Sequence, residues 1–355
     1  MDLRPIRSNP AILPGAIIQL KESIHGEYFD QPLDRRVLIA GAAGAAVAGG
    51  AAVAQAQQPA APREKGPKVW MEMDQKELDD AYDQAKYAPN LPIVLKRYVT
   101  ESEETRKRIG APKRLSYGST PVEALDLYAA KAPNAPINIF IHGGAWRGQV
   151  AKDYAFPAEA LTRAGAHYIS LDFTNVTQTD GNLMPMAEQV RRAIAWVAKN
   201  AASFGGDANR IYISGHSSGG HLGGVALVTD WKAMGVPADV IKGAVLLSGM
   251  YDLKPVRLSA RSSYVKFTDA IEDALSTQRH LDKITCPVTL VHGSLETPEF
   301  QRQSRDFAAA LKKAGKPAEL IVGPNYNHFE IAETLANPFG VAGRAVIEQM
   351  KLKVA

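Results

Sequence analysis

The sequence predicts an α/β fold built on a mainly parallel, doubly wound sheet of eight strands flanked by helices. Three observations carry that expectation. Short, continuous apolar runs recur along the chain, helical stretches with one apolar face separate them, and glycine or proline marks the junctions. Continuous apolar runs belong to strands covered on both faces, which is the situation of a parallel sheet between two helical layers.

The elements are read in order. From Asp74 to about Arg108 the pattern is helical: Asp74 and Glu77 have the spacing of a capping box, and Leu78, Tyr82 and Tyr87 begin an apolar face. Pro89 and Pro92 interrupt it, so two helices are expected. Arg114–Tyr117 and Leu125–Tyr128 alternate in polarity and read as the first, antiparallel strands. The buried strands follow at Ile137–Ile141, His167–Phe173, Ile211–Ser214, Ala244–Leu247, Val288–Val291 and Glu319–Val322. Between them, Met186, Val190, Ile194 and Val197 line one helix face before Gly205 and Gly206. Phe300, Phe307 and Leu311 line another before Gly315 and Pro317. The less regular stretch 251–282 breaks the rhythm and reads as a cap or substrate-facing insertion. No internal repeat is visible.

Composition narrows the class. The chain has 355 residues, 46% hydrophobic and 22% charged, enough for one large domain with a buried core. Its formal charge of +4 is slight and dispersed, which argues against a nucleic-acid partner. The one cysteine, Cys286, rules out an intrachain disulfide and reads as a small buried residue beside Pro287. Residues 1–56 stand apart: Arg35-Arg36, a mildly apolar Ala/Gly stretch and Ala54-Gln55-Ala56 are the parts of a twin-arginine export signal. That reading implies an exported, periplasmic protein. The competing readings of the same stretch are a membrane span, for which alanine and glycine are too weakly apolar, and a dinucleotide loop. The glycines at 41, 44, 49 and 50 do not fit G-x-G-x-x-G, which removes the second. Residues 57–70 are expected to be a flexible linker and 71–355 the catalytic domain, with 71–110 a helical segment closing over one edge of the site.

Two motifs carry chemistry. Gly215-His216-Ser217-Ser218-Gly219 follows an apolar strand and precedes a small-residue helix, so Ser217 sits on a sharp strand-to-helix turn as a nucleophile. His142-Gly143-Gly144 follows an earlier strand and supplies a loop whose amides face a developing oxyanion. The oxyanion hole is therefore assigned to the N–H groups of Gly143 or Gly144 together with Ser218. This pairing is that of the α/β-hydrolase fold, where the chain order is nucleophile, acid, histidine. Of the histidines, only His328 follows the last strand, and it is the expected base. His216 and His221 adjoin the nucleophile in sequence without thereby facing it, and His142 braces the oxyanion loop. The acid lies between Ser217 and His328: Glu296, after the strand ending at His292-Gly293, is preferred, with Asp252 the rival. Trp146 and Tyr251 are candidate substrate-pocket residues, Trp146 being equally readable as a buried structural residue.

HGGAW, FGGDANRIYISGHSSGGHL, SGMYDL and ETPEFQRQS together resemble the kynurenine formamidase (arylformamidase) and small esterase branch of the α/β-hydrolase superfamily, over residues from about 75 to the end. In that branch the acid is usually an aspartate in a segment like D-S-P-E-F, and Glu296 in ETPEF occupies that place. The resemblance implies hydrolysis of a small-molecule ester or aryl formamide without metal or organic cofactor, and no H-E-x-x-H or spaced Cys/His cluster suggests otherwise. Because kynurenine formamidases act on a cytoplasmic metabolite and this chain carries an export-like segment, a carboxylester hydrolase with a Ser-His-Glu triad is the preferred reading. Formamide hydrolysis by the same groups and a non-catalytic binding protein are the rivals. Oligomeric state is left open.

Overall fold

A computed structural model describes residues 63–354 of the chain. The expected export signal lies outside the described residues, as does 57–62 of the expected linker. A short antiparallel ribbon, β1 (Lys68–Trp70) and β2 (Met73–Asp74), opens the domain. Its turn is organised by Asp74. That carboxylate caps helix α1 (Gln75–Ala81) through the Glu77 N–H, accepts from the Gly66 N–H at 2.8 Å and pairs with Arg63. Residues 63–70 are thus part of the folded domain, not linker as composition suggested, because one buried carboxylate gathers their donors. The capping box is complete, with Glu77 returning a bond to the Asp74 N–H. The second expected helix is α2 (Leu91–Ile109), where Pro92 falls in the first turn and interrupts no helical hydrogen bond.

The eight strands of the main sheet are β3 (Lys113–Ser116), β4 (Ala124–Tyr128), β5 (Ala135–Ile141), β6 (His167–Leu171), β7 (Gly206–His216), β8 (Ile241–Leu247), β9 (Val288–Gly293) and β10 (Ala318–Gly323). Their order is β10-β9-β8-β7-β5-β6-β4-β3. Only the β3–β4 and β4–β6 pairings are antiparallel. Helices α3 (Ala158–Arg163), α4 (Met184–Asn200), α5 (Ser218–Leu227), α8 (Pro298–Lys313), α9 (Glu330–Glu333) and α10 (Val341–Gln349) alternate with them. The 251–282 insertion is mostly short helix, with α6 (Leu253–Leu258) and α7 (Asp269–Leu275) joined by 3-10 turns.

In the central strands β4, β5, β6, β8 and β9, both faces of the sheet are dry. Ile137, Ile139 and Ile141 of β5 belong to one buried apolar layer with Met186, Val190, Ile194 and Val197 of α4 and, farther along the sheet, Phe300 and Phe307 of α8. Phe140 points the other way, into a second layer with Tyr98, Tyr168 and Val346. Each such side chain, fully buried, contributes about 1.5–3 kcal/mol of transfer free energy. The central strands therefore follow from two-sided burial, as expected, whereas β10, read from its sequence as a buried strand, is partly exposed with Val322 on the surface, because it is the edge of the sheet and has a neighbour on one side only.

The sheet register positions the site. Ile141 at the end of β5 lies beside Gly215 of β7, His216 beside Leu247 of β8, and Leu247 beside Val291 of β9. The chain leaves β5 for β6 on one side and returns to β7 on the other. The carboxyl ends of β5 and β7 thus border the crevice at a reversal of strand order, where α/β sheets bind ligands.

Candidate active site

Ser217 stands between β7 and α5 with φ 58° and ψ −121°, a conformation that a residue with a Cβ adopts at a cost of about 1–3 kcal/mol. Two close approaches hold it there. The Ser217 N–H donates to the Leu247 carbonyl at 2.8 Å. Behind it, α5 presses onto β5 so closely that a Cβ at Gly219 would lie 2.0 Å from the Ile141 carbonyl oxygen. Glycine at that position is required by space. The strained turn lifts the Ser217 hydroxyl off the end of the sheet while leaving the residue only 7% exposed.

The hydroxyl donates to Nε2 of His328 at 2.8 Å, and Nδ1–H of His328 donates to Oε2 of Glu296 at 2.9 Å. Glu296 is fully buried, and its second oxygen is occupied: Ser248 Oγ and the Gly293 N–H each donate to Oε1 at 2.6 Å. Burial would push this carboxyl up, but the His328 imidazole and the hydrogen bonds from His328, Ser248 and Gly293 outweigh it and hold the group below the ordinary glutamate value. The ionised, fully bonded carboxylate orients Nδ1–H of His328 toward Oε2 and so leaves Nε2 facing the Ser217 hydroxyl. The extra methylene of glutamate is accommodated because the loop after β9 brings Glu296 back over Gly293.

Asp252, the rival acid, is elsewhere. It caps α6 through the Lys254 N–H at 3.1 Å and lies 3.6 Å from the Arg279 guanidinium. The sequence signal that placed it, a short loop after the strand before β9, marks instead Ser248, which sits at the end of β8 with φ 52° and reaches Glu296. Nothing in residue spacing singled out Ser248.

The oxyanion loop meets the elbow directly. A Cβ on Gly143 would lie 3.1 Å from Cβ of Ser217, and Gly144 turns at φ 103°, a conformation favouring glycine. Ser218 opens α5, where first-turn N–H groups have no helical acceptor. Its hydroxyl accepts from the Trp146 N–H at 3.2 Å, tying the loop to the helix. Gly143 thus lies directly against Ser217, and the loop that carries it and Gly144 is tied to Ser218 at the start of α5. His142 stacks on Phe173 at 4.3 Å and donates from Nδ1 to the Gly143 carbonyl at 3.0 Å, bracing the loop from below.

The two pocket candidates are core residues. Trp146 is 1% exposed, and its indole N–H donates to Nδ1 of His221 at 3.2 Å, while His221 donates from Nε2 to the Leu275 carbonyl at 3.0 Å. Tyr251 is fully buried and stacked on Phe307 at 4.3 Å. Aromatic residues near predicted loops suggested substrate contact, but large apolar rings are more strongly drawn to the sheet–helix seam. His216 sits with its ring centroid 4.8 Å from that of His328 and donates from Nε2 to the His328 carbonyl at 2.7 Å, so it anchors the base's backbone and takes no proton from serine. Burial, with the neighbouring His328 charge, pushes its pKa down to about 3. Cys286 is buried too, and burial pushes its thiol up to about 12, so it is no nucleophile at neutral pH.

The helical segment before the sheet braces the acid-bearing loop. Gln84 donates to Thr297 Oγ1 at 3.3 Å and accepts from the Thr297 N–H at 3.3 Å; Tyr82 donates to Glu299 at 3.0 Å. Gln84 and Tyr82 carry no motif, and only tertiary placement gives them a function. Among the described residues no group of three or more His, Cys, Asp or Glu side chains is arranged to hold a metal ion, and no helix is long and apolar enough to cross a membrane.

With this geometry in place, the comparison with known proteins is direct. The BD-FAE family model matches residues 125–311. The chain belongs to the BD-FAE family of α/β-hydrolases. The matched span runs from β4 through the oxyanion loop, the elbow and Glu296 into α8, and stops before His328. Beyond the family match, the chain is 29% identical over 281 residues to kynurenine formamidase of Danio rerio, covering 76% of this chain and 94% of that protein. It is 28% identical over 279 residues to esterase LipQ of Mycobacterium tuberculosis, covering 70% of this chain and 62% of that protein. Carboxyl esterase 2 of Tuber melanosporum superposes with TM-score 0.56 at 22% identity, covering 68% of this chain and 86% of that one, and shares the fold. This BD-FAE member is an enzyme, a hydrolase with an esterase-like architecture.

Proposed function

We propose that the protein hydrolyses small carboxylic esters through an acyl-enzyme. In this reading Ser217 attacks the carbonyl carbon as His328 Nε2 takes its proton. The tetrahedral oxyanion is held by the amides of Gly143 or Gly144 and Ser218. Its collapse expels the alcohol, which receives the proton from His328. Water, deprotonated by the same imidazole, then attacks the acyl carbon, and the acid leaves with Ser217 restored. Glu296 remains ionised throughout, orienting the imidazole and balancing its charge. The observation that carries the reading is the relay from Ser217 Oγ through His328 to Glu296, with both contacts below 3 Å and the serine on a strained turn.

Aryl formamide hydrolysis is the second reading, favoured by the similarity to the Danio rerio formamidase across most of both chains. The same groups serve it, with an amine leaving in place of an alcohol. Purified protein assayed on an aryl acetate and on an N-formyl aniline separates the two. Faster turnover of the acetate is expected, and a much faster formamide reaction at matched leaving-group activation overturns the ester assignment. A fluorophosphonate probe should label the wild type at Ser217 and leave Ser217→Ala unlabelled; absence of labelling in the wild type removes the serine mechanism altogether.

We also propose export by the twin-arginine route, on Arg35-Arg36 and the weakly apolar stretch after it. Fractionation of cells carrying Arg35→Lys with Arg36→Lys should find the protein retained inside; unchanged export contradicts the route.

A further inference from the structure

We infer that the substrate carries an anionic group, a carboxylate on its acyl or alcohol part, and that Arg261 with Arg147 receives it. This rests on the hydrolase reading above and narrows it to a substrate class. Arg261 belongs to the 251–282 insertion, in the turn after α6. Its guanidinium carbon lies 5.6 Å from the Trp146 ring and 5.9 Å from the Phe300 ring. Trp146 closes the oxyanion loop, and Phe300 stands edge-on to the base, 4.8 Å from the His328 ring. The cation is thus one aromatic ring away from both halves of the catalytic machinery.

What holds Arg261 is neutral. Nη1 donates to Tyr264 Oη and Nη2 to the Tyr82 carbonyl, each at 2.9 Å, while the Nε–H is buried without a partner. The other arginines of this region have carboxylates: Arg257 and Arg279 share Glu272, and Arg302 holds Glu299 in a two-bond fork. Two carboxylates bonded to neighbours of Arg261 are already committed. Glu299 is taken by Arg302 and Tyr82, and Asp79 accepts from the Ala260 N–H at 2.6 Å. Among the described residues no carboxylate comes within ion-pair distance of Arg261. Arg147, the residue after Trp146, packs on the same tyrosine: its guanidinium carbon is 4.3 Å above the Tyr264 ring, and among the described residues it too has no carboxylate within ion-pair distance.

Two guanidinium groups, Arg261 half-buried and Arg147 exposed, therefore flank one tyrosine where the insertion meets the oxyanion loop. A half-buried guanidinium without a counter-charge costs free energy, whereas its rigid planar fork, oriented by neutral acceptors and aromatic faces, is organised to take a carboxylate. Such a group on the substrate would be held away from the scissile carbonyl and would fix the reacting end over Ser217. A purely structural Arg261, pinning the insertion to Tyr82, would serve charged and uncharged substrates alike.

The test uses two esters of equal acyl length, 4-nitrophenyl butyrate and mono-4-nitrophenyl succinate. The wild type should favour the succinate in kcat/KM, with the preference shrinking as sodium chloride is raised. Arg261→Gln and Arg147→Gln should each lower the succinate-to-butyrate ratio, Arg261→Gln by roughly ten- to a hundredfold and mainly through KM. Arg261→Lys should recover part of the ratio. Equal activity of the wild type on both esters, or an equal loss on both in Arg261→Gln, overturns the inference while leaving ester hydrolysis standing. Turnover of neither ester would instead count against the ester reading. The anion site is then read without chemistry, by calorimetric binding of succinate to Ser217→Ala: binding that weakens with Arg261→Gln supports the inference, and no binding overturns it.

Discussion

Glu296 Oε2 lies 2.9 Å from His328 Nδ1, and its other oxygen is filled by Ser248 and Gly293. That arrangement makes the role of each acid separable by substitution. Glu296→Gln should lower kcat by roughly 10⁴-fold by losing the charge that orients and balances the imidazole, as removal of the equivalent charge does in other triads. Asp252→Asn should cost less than tenfold, because Asp252 caps α6 and pairs with Arg279, away from His328. The reverse ranking in steady-state kinetics would make Asp252 the acid. Ser248 is a positioning residue: Ser248→Ala should reduce kcat by about tenfold with KM little changed, since one hydrogen bond to a charged group is removed and substrate is not touched. Ser217, His328 and Glu296, which the fold brings into contact, were singled out in the sequence because each closely follows a strand end. Ser248, Arg261 and Tyr82 were not, because a serine, an arginine or a tyrosine in a loop has no distinguishing pattern until its neighbours are known.

The helix α5 is a good example of what an element adds. Its sequence is rich in glycine and has little intrinsic helix preference. It forms because its small residues let it lie flat on β5 and β7, and the short spacing is what tightens the turn at Ser217. Gly219→Ala should therefore destabilise the protein by about 3 kcal/mol, at the upper end of overpacking costs, because a Cβ there would meet the Ile141 and His142 carbonyls and neither can move without the sheet. Gly148→Ala, where a Cβ meets open space, should stay within about 0.5 kcal/mol. Urea unfolding of the two variants checks the pair, and a mild Gly219→Ala would mean that the helix can lift off the sheet. Periodicity located α4 and α8 well, since each has a clear apolar face. It placed the 251–282 insertion only as irregular, because α6 and α7 are too short to show a period. The linker was drawn too long for a similar reason: the capping carboxylate of Asp74 gathers residues back to 63, and composition alone is blind to that.

Across the whole molecule, the buried imidazoles set an acid limit. Burial pushes His221 down to about 4 and His216 down to about 3, so both remain neutral in the folded state while the unfolded chain protonates them near the ordinary histidine value of about 6.5. Between pH 6.5 and 4 the unfolded state thus binds more protons, and stability falls as pH falls. Each histidine contributes a slope of up to about 1.4 kcal/mol per pH unit in that window. Chemical denaturation across it should follow this steepness, and His221→Gln should have a shallower profile. A wild-type stability independent of pH from 6.5 to 4 would mean that both rings protonate in the native state. Protonation there would strike the site twice, since His221 holds Trp146 of the oxyanion loop and His216 anchors the backbone of the base.

By itself the sequence determined the layer architecture, the strand order of chemistry along the chain and the two motifs that flank the nucleophile, because apolar periodicity and glycine-bounded turns are local properties. Tertiary structure decided the rest: which carboxylate reaches His328, which aromatic rings are core, and where charge is left without a partner. Those outcomes depend on distances between segments remote in sequence, set by sheet register and by how closely small residues allow helices to approach.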